Sequence, residues 1–183
     1  MNSKYLTIAF LLLVTLIFNG CDDPEIVNPQ EVITTVNFTL TSSSGESLTL
    51  SFQDLDGDGG GEPIIEGATL DANETYTGTL EFLNESITPI EDITAEVLEQ
   101  DEEHQVFFQT EIAGITFDYN DQDEDGNPLG LNMTITTGAA GSGLLSVILR
   151  HEPNKFADGA SDGDSDIAGG ETDIDADFPI IVQ

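Results

Sequence analysis

Positive charge is almost missing from this chain. Three Lys and Arg stand against 36 Asp and Glu, giving a formal net charge of −33 at pH 7. A surface of that sign repels phosphate, which excludes nucleic acid as a partner, and it repels anionic lipid headgroups too. Cysteine occurs once, at Cys21, so an exported form has no internal disulfide. Tryptophan is absent, which removes the largest platform on which a sugar ring could stack. No Ser nucleophile elbow, phosphate loop or free catalytic cysteine is present, so the chain is expected to be non-enzymatic. With 36 acids, any carboxylate pair chosen as a glycosidase couple would be arbitrary.

The first segment carries an address. Lys4 is followed by an apolar run from Tyr5 to Phe18 and then by Asn19-Gly20-Cys21. A charged start, a short apolar stretch and a small residue before the cut make a secretory signal. The run is shorter than the roughly 20 residues a spanning helix needs. The end of the run resembles a relaxed bacterial lipobox, with Phe18 where Leu is usual. That resemblance implies a diacylglycerol on Cys21, whose acyl chains would each contribute about 0.8 kcal/mol per buried CH₂. Asp22, Asp23 and Glu25 resemble the surface-export signal of Bacteroidota lipoproteins. Cell surface and periplasmic face both stay open. The expected organisation is a signal at 1–20, a lipid-anchored acidic tether at 21–31 and one domain at 32–183.

High net charge alone would favour disorder, but the domain alternates like a set of strands. Val36, Phe38 and Leu40 alternate with Thr and Asn, and Leu48, Leu50 and Phe52 repeat the pattern. So do Tyr76 to Phe82, Ile115 to Tyr119, Leu129 to Ile135 and Phe178 to Val182. Apolar-in, polar-out spacing marks half-buried strands, while the continuous run Leu144 to Leu149 reads as a strand covered on both faces. About eight strands with Gly, Asp and Asn turns predict a mainly β fold, an antiparallel β-sandwich of Ig-like or Greek-key type. One amphipathic helix is expected, capped by Thr88-Pro89-Ile90-Glu91, apolar at Ile90, Ile93, Val97 and Leu98, and running to about Glu103. Residues 157–173 read as a polar loop, mobile unless a cation ties it down.

Three loops concentrate carboxylates: Asp54, Asp56 and Asp58; Asp121, Asp123 and Asp125 with Asn127; and the run from Asp158 to Asp166. Acids at alternate positions followed by glycine suit calcium, which takes six to eight oxygens. The second loop matches the first half of an EF-hand, yet Asn132 stands where the closing Glu belongs. The alternative is a set of acidic turns, since Asp, Asn and Gly are turn residues in their own right.

The two histidines each adjoin glutamate. His104 follows Glu103, and Glu152 follows His151. Imidazole with carboxylate is a ligand set for zinc and related metals. These four residues would share one ion if the helix end lies over the strand end. Two other readings stay open: a structural one, in which Arg150 pairs with the acidic helix and His104 is a satisfied core residue, and one in which Arg150 and Lys155 hold an organic anion.

The stretches Leu83-Asn84-Glu85-Ser86, Glu102-Glu103-His104-Gln105, Asn127-Pro128-Leu129-Gly130-Leu131, Leu149 to Lys155 and Gly169-Gly170-Glu171-Thr172-Asp173 resemble a family of small acidic Bacteroidota lipoproteins. That family is commonly labelled type 1 periplasmic binding fold superfamily. The resemblance covers nearly all of the chain after the signal and brings no catalytic residues. It implies, by association, an accessory to an outer-membrane transporter. The residue pattern, with signal for one helix, predicts the sandwich rather than the two α/β lobes of that label. The functional expectation is therefore a lipid-anchored module that binds calcium or zinc and assists uptake. The alternatives are a calcium-stiffened adhesion or glycan-binding module and a structural envelope lipoprotein.

Overall fold

The computed structural model describes residues 31–57 and 60–183. The signal segment, Cys21, the tether as far as residue 30, and Asp58 lie outside the described residues.

Among the described residues, eleven strands form two sheets. The larger holds β1 (Thr35–Ser42), β2 (Ser47–Gln53), β3 (Ile64–Glu66), β5 (Thr75–Asn84), β8 (Thr116–Tyr119) and β9 (Asn132–Thr136). Its order is β3-β2-β1-β5-β9-β8, with the two-residue β6 (Glu91–Asp92) pairing beside β5. The smaller sheet runs β4-β11-β10-β7, from β4 (Ala68–Leu70), β11 (Glu171–Val182), β10 (Gly141–His151) and β7 (His104–Thr110). The expected β-sandwich is the observed architecture. All pairings are antiparallel except β4 with β11, which is parallel, so the sandwich is mixed rather than purely antiparallel.

Alternation explains the long strands. Val36, Phe38 and Leu40 of β1 point inward, as do Leu80 and Phe82 of β5, Met133 and Ile135 of β9, and Phe178, Ile180 and Val182 of β11. Each fully buried Phe or Leu contributes roughly 1.5–3 kcal/mol against leaving it in water. The β1–β2 hairpin closes through Gly45, whose φ of +87° is left-handed and open to glycine at no steric cost.

Four of the strands were hidden, for different reasons. β3, β4 and β6 are two or three residues long, too short for a period. β7 shows no alternation because both of its faces are covered. His104, Val106 and Phe108 face the main core, whereas Phe107 joins Ile148, Ala160 and Ala168 in a second cluster on the outer face. That cluster is closed by residues 157–168, which form a 3₁₀ turn (Ala160–Asp162) and a one-turn helix, α2 (Ser165–Ala168). This stretch is placed by protein contacts. Gln105 Nε2 donates to Ala160 O at 3.0 Å and Gln109 Nε2 to Ser165 Oγ at 2.8 Å.

The helix is shorter than its sequence suggests. Glu91 and Asp92 pair with Asn84 and Leu83 of β5, so α1 spans only Ile93–Glu99, and Asp92 rather than Thr88 caps it. Ile93 and Val97 pack inward, while Ile90 and Leu98 are exposed. Among the described residues, no helix is long and apolar enough to cross a membrane.

Candidate metal centre

The two histidines meet because two strands bring their last inward positions together. In the β7–β10 register Phe108 faces Val147, Val106 faces Leu149, and His104 faces His151. Along both strands the inward sequence is apolar until the core ends, and each then turns to imidazole. The ring centroids are 4.7 Å apart. His104 is fully buried and its Nδ1 lies 3.1 Å from Gln100 O, the residue that caps α1. A carbonyl only accepts, so Nδ1 carries the hydrogen and Nε2 presents a lone pair to the centre. Such an outer hydrogen bond is how metal-ligating imidazoles are oriented.

Asp173 arrives by a fault in the ladder. The β10–β11 register pairs Leu149 with Ile174 but Arg150 with Thr172, leaving Asp173 as the extra residue of a bulge. Inward residues of β11 are otherwise even-numbered, from Ala176 to Val182. Strict alternation would turn Asp173 outward; the bulge re-aims it. Its side chain is fully buried. Glu31 comes from the opposite sheet, just before β1. Its Oε1 lies 3.5 Å from His104 Nε2, and its Oε2 lies 3.5 Å from His151 Nδ1. Asp173 Oδ2 is 3.8 Å from His104 Nε2, and Asp173 Oδ1 is 3.9 Å from His151 Nδ1.

Four residues, each offering one donor atom, thus converge within 4.8 Å of one another. Tetrahedral coordination with bonds of about 2.0–2.2 Å separates neighbouring donors by roughly 3.3–3.6 Å, so the widest-spaced donors of the cage must close by up to about 1 Å around an ion. Polar satisfaction points the same way. Glu31 Oε2, His104 Nε2 and both oxygens of Asp173 are buried without hydrogen-bond partners. Buried polar atoms left unpaired are strongly unfavourable, and here they all face one point. Burial, together with the neighbouring charge of Glu31, pushes the Asp173 carboxyl up to about 7, against a smaller pull from His151. This cluster of Glu, His and Asp can hold a metal ion. Beside it, an open cleft of about 610 Å³ is lined by Glu31, Asp173, Asp175, Asp54 and Asp56.

The expected transition-metal set is therefore half gathered. His104 and His151 come together, but Glu103 and Glu152 form a separate exposed group that includes His151 and not His104. The calcium expectation fares differently. Asp121 accepts from the backbone N–H of Gly130 at 2.7 Å and of Asn132 at 2.8 Å. Asp123 accepts from Asn127 N at 2.8 Å and from Lys155 Nζ at 3.0 Å. Donors of the chain itself thus engage the carboxylates of Asp121 and Asp123, and Lys155 places a positive charge beside Asp123. Asp125 joins no convergent group of His, Cys, Asp and Glu among the described residues. Asp54 bonds the N–H of Asp56 and Gly57, and Asp56 that of Gly61, as in acidic turns. In the third loop Asp164 caps α2.

Neither Arg150 nor Lys155 pairs with a helix carboxylate. Lys155 Nζ donates to Asp101 O at 2.5 Å and to Asp123, so its charge is spent inside the fold rather than on an organic anion. Arg150 donates to Thr172 Oγ1 at 2.5 Å and lies beside Asp175.

Comparison with protein-family models, with curated proteins and with solved structures finds no match. The site rests on its own geometry. Glu31 and Asp173 are the members of the cluster that sequence reading missed. Nothing local distinguishes them from the other acids, because one is selected by sheet packing and the other by a bulge.

Proposed function

We propose that this chain is a non-enzymatic binding module that holds one divalent transition-metal ion of the zinc class at Glu31, His104, His151 and Asp173. The convergence of four buried donors, several of them otherwise unpaired, carries this reading. Two imidazoles among the donors favour zinc and its neighbours over calcium, which takes oxygen ligands in larger number. Catalytic zinc sites keep a position open to water or substrate, whereas four protein ligands close the shell. The side chains here are between 0 and 7% exposed, which supports retention of the ion over turnover at it.

The acidic cleft raises the local concentration of cations next to the centre. The lipobox at Cys21 and the family resemblance support placement at the outer membrane, with a role beside an uptake transporter. A calcium-stiffened adhesion module has less support, because the Asp121 loop is closed by its own hydrogen bonds. Elemental analysis of the purified protein and a zinc titration against a competing chelator test the proposal. Tight one-to-one binding, abolished in His104→Ala/His151→Ala, is the expected result. Unchanged zinc affinity in that double variant would reject it.

A further inference from the structure

His151 sits at the boundary between the buried centre and solvent, and its two ring nitrogens face different ligands. Nδ1 lies 3.5 Å from Glu31 Oε2 and 3.9 Å from Asp173 Oδ1, on the inner side. Nε2 lies 3.9 Å from Glu103 Oε2, on the outer side. Glu152 joins Glu103 and His151 in a group whose donor atoms all lie within 4.8 Å of one another. The two glutamates come from different elements. Glu103 closes the turn after α1, and Glu152 follows the last residue of β10. The Glu152 N–H donates to Glu103 O at 2.7 Å and fixes them side by side. Glu103 is half exposed and Glu152 exposed, so this group opens to solvent where the inner one does not.

We propose a second, outer cation site formed by His151 Nε2, Glu103 and Glu152, sharing the His151 ring with the buried centre. The inference rests on the buried-site reading above, since the ring is shared only if an ion occupies Nδ1. A ring that gives up its N–H proton has an in-plane lone pair on each nitrogen, the two directed apart, so one ring can serve two ions. When both nitrogens ligate, the remaining ring proton passes to solvent. Two carboxylates and a negatively charged ring oppose the charge of the second ion. With only three protein donors the outer shell is completed by water, so the outer ion binds more weakly and exchanges faster than the inner one.

Titration of the full chain with zinc and with copper(II) tests this. The expected result is two equivalents per chain, the second weaker. Glu103→Gln/Glu152→Gln should lose the second equivalent and keep the tight one, while His104→Ala should lose the tight one. In doubly copper-loaded protein, exchange through the shared ring should lower the paramagnetic resonance intensity below that of two independent ions. A single equivalent in the parent chain overturns the outer site and leaves the buried one standing. So does a second equivalent that survives the double Gln variant, or two copper signals that are magnetically independent. Failure to bind any ion tightly overturns both readings together.

Discussion

Lys155 Nζ lies 3.0 Å from Asp123 Oδ2, and both side chains are almost completely buried. Burial opposes the charge on Asp123, but hydrogen bonds from Asn127 and Lys155 outweigh it and hold the carboxyl below its ordinary range. The pair ties the 121–127 loop to the segment after β10, and through Asp101 O to the end of α1. Removing one member leaves the other charged and buried, at about 3–5 kcal/mol. Lys155→Met or Asp123→Asn should therefore lower the melting temperature by roughly 6–20 °C. The double variant Asp123→Leu/Lys155→Met should recover part of that loss. Calorimetry of the three variants checks it, and additive losses would show that the pair is not coupled.

Metal removal gives a second expectation. An ion that binds only the native state stabilises by about 2.7 kcal/mol at a free concentration 100 times its dissociation constant. For a domain of this size that is a rise of roughly 5–11 °C in melting temperature. Zinc should produce it in chelator-treated protein and calcium should not. Identical melts in zinc and in chelator would count against the site.

The pH dependence follows from Asp173, whose pKa is about 7 in the fold against roughly 3.9 in an unfolded chain. Between those values the native state binds the extra proton. The stability this group contributes is thus complete below about pH 4 and is lost as pH rises through 7. Metal-stripped protein should melt at falling temperature from pH 4 to 8, and Asp173→Asn should flatten that slope. Zinc affinity should run the other way, increasing with pH, since the ion displaces the proton. Melts of both proteins across that range, with a parallel zinc titration, provide the check.

Gly170 sets the position of the bulge beside the centre. Its φ is +80°, and a Cβ there would stand 2.4 Å from His151 O and 2.9 Å from Pro153 N. Both obstacles are backbone, so neither can swing aside. Gly170→Ala should displace β10 from the start of β11 and weaken zinc binding as well as stability. Gly126→Ala meets a left-handed φ but nothing within 4 Å, so it should lower stability while sparing zinc affinity. Equal zinc affinity in the Gly170 and Gly126 variants would refute this role of Gly170.

The sandwich was legible wherever a strand has one wet face, as in β1 or β11. It was illegible in β7, whose two covered faces erase the alternation. The histidines were legible because there are only two and both adjoin acids. Their direct opposition was not, since it depends on the β7–β10 register. Glu103 and Glu152 adjoin the histidines in sequence, yet both lie just outside the strands, Glu103 in the turn before β7 and Glu152 at a left-handed φ of +50° after β10. That geometry sends them outward and leaves the inner positions to Glu31 and Asp173.

The four cluster residues Glu31, His104, His151 and Asp173 are widely spaced along the chain, and no short peptide contains more than two of them. A zinc finger gathers its ligands locally, so the ion can organise the chain as it collapses. Here the cage exists only after β7, β10 and β11 have paired and the larger sheet has docked its leading residue. Pairing across such separations is slow, and the ion cannot hasten it. Capture at the proposed site would follow folding, and occupancy would report that the sandwich has closed.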